Sequence, residues 1–184
     1  MSKLDRFDRF KSEGYIPFGK EKPSYDTSLG LIDAETLGGE NTPVAFNCLI
    51  TMNWYEDCEW GWKVIMNEKS GKPVGFSTRL TTHEYHSIQS DNRTHVGGPV
   101  RAAVADFVAG ANALFFKQYL CPMTSMNITY DKPIKVGQTL ITSNLNVEVD
   151  GNRIIQTGEQ YIQETKELIG TYLTIHHDPR YGKV

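Results

Sequence analysis

The segment from Gly97 to Lys117, G-G-P-V-R-A-A-V-A-D-F-V-A-G-A-N-A-L-F-F-K, constrains the fold of this chain more than any other. Val100, Ala103, Val104, Phe107, Ala111 and Leu114 recur with a period near 3.6, which predicts a helix. Pro99 stands where a first helical residue would, and its missing N–H costs nothing there. Between Val100 and Phe116 only Arg101 and Asp106 carry charge. A helix that is apolar nearly all round must be covered on several sides. It is the one strong helix signal among the 184 residues, so strands must supply the cover.

Strand patterns flank it on both sides. Val44–Trp54 is rich in β-formers, and Gly61–Asn67 and Val74–Thr82 enclose the turn Glu68–Pro73, which predicts a hairpin. Residues 83–98 read as a polar loop. Downstream, Met123–Tyr130 carries Met126, Ile128 and Tyr130 on one face. Gln138–Val149 carries Ile141, Leu145, Val147 and Val149 on one face. Asp150-Gly151 predicts a two-residue type I′ turn into Arg153–Gln163. Leu168–His176 closes the chain with Ile169, Leu173 and Ile175 alternating, and His176-His177 reads as a fraying strand end. One helix against a long antiparallel sheet is an α+β layout. The expected organisation is an N-terminal helix (Leu4, Phe7, Phe10) and irregular arm over 1–42, a domain over 43–178 and a tail over 179–184.

Composition narrows the class. At 39% hydrophobic and 22% charged the chain is an ordinary folded protein. No apolar run approaches a membrane span, and the first ten residues lack the core of a secretory signal. A net charge of -3 with no dense Lys/Arg cluster argues against nucleic acid. Three cysteines with no C-x-x-C fit a reducing cytoplasm, and Cys121 reads as a small apolar filler. His83, His86 and His95 have no acidic ligand set of matching spacing, so no metal is expected. Trp54, Tyr55, Trp60 and Trp62 read as core or subunit interface.

Asp106 is the unusual residue. Its neighbours three and four positions away, Ala102, Ala103, Ala109 and Gly110, are small and uncharged, and Arg101 lies off its stripe. A carboxylate buried without a partner costs several kcal/mol, so the position points to a partner or a function.

The order of elements, with these residues, resembles the hotdog fold, in which a sheet wraps a central helix. More narrowly, residues 44–177 resemble the phenylacetate-degradation-type acyl-CoA thioesterases. The resemblance rests on the glycine entry to the helix, on Met123–Leu140 with Lys132-Pro133 and Gly137, and on the closing Leu168–Ile175 strand. In that family H-G-G is followed, after six intervening residues, by Asp. Here the spacing yields Gly97-Gly98-Pro99 and Asp106, so the family His position holds Gly97 and its second glycine holds Pro99.

The resemblance implies hydrolysis of an acyl-CoA or aryl-CoA thioester. Asp106 would activate water or attack the carbonyl. The Gly98 backbone N–H, at the positive end of the helix dipole, would hold the oxyanion. Pro99 has no N–H to offer. Gly97, His95 and Asn112 fall on the substrate side, His95 being placed to fill part of the lost histidine's role. No separate cofactor is implied, since CoA is part of the substrate. A dimer or dimer of dimers is implied, with the site at the subunit boundary. The competing reading is a non-catalytic acyl-CoA-binding hotdog protein, a sensor or regulator, which Gly97 in place of histidine favours. A hydratase lacks its D-x-N-P-x-H segment here.

Overall fold

The computed structural model describes residues 16–17, 60–66, 69–70, 73–87, 94–117 and 121–182. The expected N-terminal helix, most of the arm and the Val44–Trp54 strand lie outside the described residues. Among those described, seven strands form one antiparallel sheet: β1 (Ile16–Pro17), β2 (Trp60–Met66), β3 (Pro73–Thr81), β4 (Met123–Tyr130), β5 (Thr139–Asp150), β6 (Arg153–Ile162) and β7 (Glu167–His177). Their order is β1-β2-β3-β5-β6-β7-β4, with β4 at an edge. The sheet curves around a single long helix, α1 (Gly98–Lys117), as the α+β reading requires.

The helix begins one residue earlier than expected, so Pro99 is its second residue. This changes nothing energetically, because the first four N–H groups of a helix have no partner within it. Val104, Phe107, Val108 and Ala111 enter the main core with Trp62, Phe76, Leu80, Leu140, Ile162 and Ile169. Trp62 stacks on Phe76 at 5.4 Å, so this tryptophan is core. Ala105 and Ala109 pack on Tyr172, with Met123, Met126 and Ile128 half-buried beside them. The small residues allow the helix to lie close to β7 and the β4 edge. Cys121 fills a gap between Ala113 and Ile154, as its sequence context implies.

Two strands differ from their alternation. The register slips at Leu145, where Asn144 faces Gly158 and Asn146 already faces Thr157. A bulge residue shifts the phase of everything beyond it. Ile141 and Val147 therefore face opposite sides, and Val147 joins the Ala113 cluster. A second slip, opposite Gln160 and Tyr161, lets Ile169 stay inside while Tyr172, Thr174 and His176 take over the inward face. Leu173 is left 38% exposed. His176 is consequently buried, and the reading of a fraying end is corrected. The turn after β5 is Gly151-Asn152, one residue later than read, with positive φ at Gly151 alone, the pattern of a type II′ turn.

Candidate active site

The helix N-terminus is built by three contacts. The Gly97 N–H donates to the His86 carbonyl at 2.9 Å, which occupies it. The Tyr130 hydroxyl donates to the Gly98 carbonyl at 2.7 Å. The Tyr130 ring also lies 3.3 Å from where a Cβ on residue 98 would stand, so glycine is the residue that fits there without a shift. No described residue accepts the Gly98 N–H, and it points out of the helix start. His95 is exposed, its Nδ1 2.9 Å from Thr94 Oγ1, in a β-bridge with Lys135.

Of the two charges between Val100 and Phe116, Asp106 is not the buried one. Arg101 is the buried one, at 3% exposure. Its guanidinium donates to Gln160 Oε1 (3.1 Å) and to the carbonyls of Lys132 (2.9 Å) and Ile169 (2.8 Å), and lies over the Tyr130 ring at 4.4 Å. Asp106 is exposed in the single chain, on the side of the helix away from the main core. It makes no ion pair or hydrogen bond with any described residue. Desolvation by the surrounding helix and sheet holds its carboxyl above the ordinary aspartate range, while His176 pulls it the other way. An unpaired carboxylate with raised proton affinity can take a proton from water or attack a carbonyl.

Asn112 is buried beneath the helix. Its Nδ2 donates to Gln156 Oε1 at 2.8 Å, Asn144 Nδ2 donates to the same oxygen at 2.6 Å, and Gln156 Nε2 donates to the Ala109 carbonyl at 3.0 Å. That network ties α1 to β5 and β6, so the Asn112 amide is committed to the interior. Gly98 and Asp106 stand eight residues apart, about 12 Å along the helix axis. Two surface hollows, of about 300 and 550 Å³, lie on the outward face of the sheet, lined around Thr157 and around Tyr161 respectively. Neither includes Asp106 or Gly98.

Tyr130, Arg101 and His176 are the residues that sequence reasoning passed over. Tyr130 carried a signal, its place on the Met126/Ile128 face. Arg101 carried a weaker one, as a lone charge in an apolar helix. His176 carried one only if the inward face of β7 had been counted from Tyr172.

No protein-family model matches the sequence, and no curated protein matches it either. Solved structures do. Thioesterase superfamily member 2 from Mus musculus superposes with a TM-score of 0.55 at 14% identity, over 73% of this chain and 90% of that one. The PaaI protein of the E. coli phenylacetic acid degradation operon gives 0.50 at 15% identity, over 63% and 82%. A Streptococcus mutans protein bound to acetyl CoA gives 0.51 at 12% identity, over 56% and 80%. Likeness at this identity is likeness of architecture, and it agrees with the strand order and the single wrapped helix: the chain has the hotdog fold, the fold of these thioesterase-superfamily structures.

Proposed function

We propose that this protein hydrolyses acyl-CoA or aryl-CoA thioesters. The observation that carries the reading is Asp106: a solvent-reachable carboxylate of raised proton affinity, unpaired among the described residues, on the helix of a hotdog fold. The acetyl CoA in the Streptococcus mutans structure supports a CoA thioester as the ligand class. The Gly98 N–H, without an acceptor among the described residues and at the positive helix end, is the oxyanion donor, a role worth about 3 kcal/mol of barrier.

Both groups must reach one carbonyl carbon within hydrogen-bond range, yet about 12 Å separates them along one helix. We therefore assign each site to two chains, the Gly98 N–H of one copy serving the Asp106 of the other, in a dimer or dimer of dimers.

The test is free-thiol release from a panel of acyl- and aryl-CoAs, comparing wild type with Asp106→Asn. Wild type turns over at least one thioester, and the variant loses at least ~100-fold, about 2.7 kcal/mol of barrier. Binding of CoA esters with no hydrolysis would establish the binding-protein reading instead, which the Gly97 position favours by placing no imidazole at the helix entry.

A further inference from the structure

His176 is buried, at 1% exposure, on the inward face of β7. Its Nδ1 lies 2.9 Å from the Cys121 carbonyl oxygen. A carbonyl can only accept, so Nδ1 is the donor, and Nε2 of the neutral ring presents a lone pair. Nε2 has no hydrogen-bond partner among the described residues. A buried acceptor left without a donor calls for an explanation.

The surroundings of the ring locate it. His176 pairs with Met123 on β4 and with Ile154 on β6. Met123 packs with Ala105 and Ala109, and Ile154 packs with Ala113. The ring therefore lies under the helix turn Ala109–Ala113. Asp106 heads the same stripe, three, four and seven residues before Ala109, Gly110 and Ala113. Gly110 keeps the stripe open: nothing stands within 4 Å of where its Cβ would be. Asp106 and His176 form no direct ion pair. Each is nevertheless the one charged partner that moves the other's proton affinity. The described groups that pair with it or bond to it are uncharged: Ile154 from β6, Met123 from β4, and Cys121, whose thiol burial pushes up to about 11. The Lys117–Asp178 ion pair (2.8 Å) closes the next turn.

We propose that His176 is a further catalytic residue of the Asp106 site, its Nε2 accepting one O–H of the attacking water across the gap at Gly110 while the other O–H faces the Asp106 carboxylate. This rests on the thioesterase reading and selects the base role for Asp106. Asp106 takes the second proton as the water oxygen bonds to the thioester carbon. The tetrahedral adduct then collapses, the C–S bond breaks, and the sulfur leaves as thiol with that proton. His176 neither gains nor loses a proton.

Two variants separate the ring's two edges. H176N keeps a donor where Nδ1 meets Cys121, and H176Q keeps a polar group where Nε2 points. The expected result is a kcat loss of roughly 10- to 100-fold in H176N with KM unchanged, and a smaller loss in H176Q. Equal kcat in H176N and wild type, or a larger loss in H176Q than in H176N, would overturn the inference and assign the ring to structure alone. A second measurement needs no turnover. In NMR titrations of the His176 ring, replacing Asp106 by Asn should move its midpoint down, since the carboxylate raises it. An unmoved midpoint would sink the inference even if both His176 variants unfold. A wild type that hydrolyses no thioester, with the midpoint shift present, would leave the pair real but remove the thioesterase reading and the catalytic role with it.

Discussion

At Asp106 the physics concerns one proton. Desolvation raises the carboxyl above its ordinary range, so the base form is reached at a higher pH than for an exposed aspartate. The plot of kcat/KM against pH should rise through that raised value, and the rising limb should vanish from the residual activity of Asp106→Asn. His86 governs stability instead. Burial, and then the neighbouring His83, press its imidazole from 6.5 down to about 4. Its Nδ1 accepts the His83 backbone N–H at 2.9 Å, a bond that protonation would destroy. Between these two values the unfolded chain holds a proton that the folded chain refuses, so stability rises with pH there. Acidifying from pH 7 to pH 4 should cost roughly 3 kcal/mol at this residue. His176, also lowered by burial, adds in the same direction. Urea midpoints at pH 7, 5 and 4 check this, and a flat series would refute it. Asp106 was legible as the odd residue of its helix, but its exposure was not. Which side of an apolar helix meets water depends on where the sheet stops.

At the scale of elements, the helix is fastened by polar side chains as much as by its apolar face. Arg101→Met strips donors from two carbonyls and from Gln160, all buried or half-buried, and should destabilise by about 3 kcal/mol in chemical denaturation. Gly158 serves the sheet in the same way. A Cβ there would collide with the Tyr172 ring and stand 2.5 Å from the Ser143 carbonyl, to which the Tyr172 hydroxyl donates at 3.1 Å. Gly158→Ala should therefore lower the thermal midpoint, whereas Gly110→Ala, where nothing is touched, should leave it or raise it. The helix, the hairpin and the meander were readable because periods of 3.6 and 2 are local. The faces of β5 and β7 were not. Each contains a slipped residue, and the inner sheet surface carries Gln156, Gln160, Thr174 and His176, so apolar alternation marked the wrong side.

For the molecule as a whole, the prediction is complementation. Asp106→Asn and Gly98→Pro each remove one half of the site, the second by deleting the N–H at the first helical position, where the Tyr130 ring must give way to the added ring. Each alone should lose roughly 100-fold or more. Unfolded together and refolded, random pairing makes half the dimers mixed, each with one intact site, so about one quarter of wild-type activity should return. No recovery would mean that both groups act within one chain. The sequence by itself determined the elements, their order, the α+β layout and the oddity of Asp106, because propensity and periodicity are properties of neighbouring residues. The tertiary structure alone decided that Arg101 goes in and Asp106 stays out, that Asn112 ties helix to sheet, and that His176 comes to lie under the Asp106 stripe. Those outcomes depend on strand register and sheet curvature, which bring together residues up to 70 positions apart in the chain and leave no local trace in it.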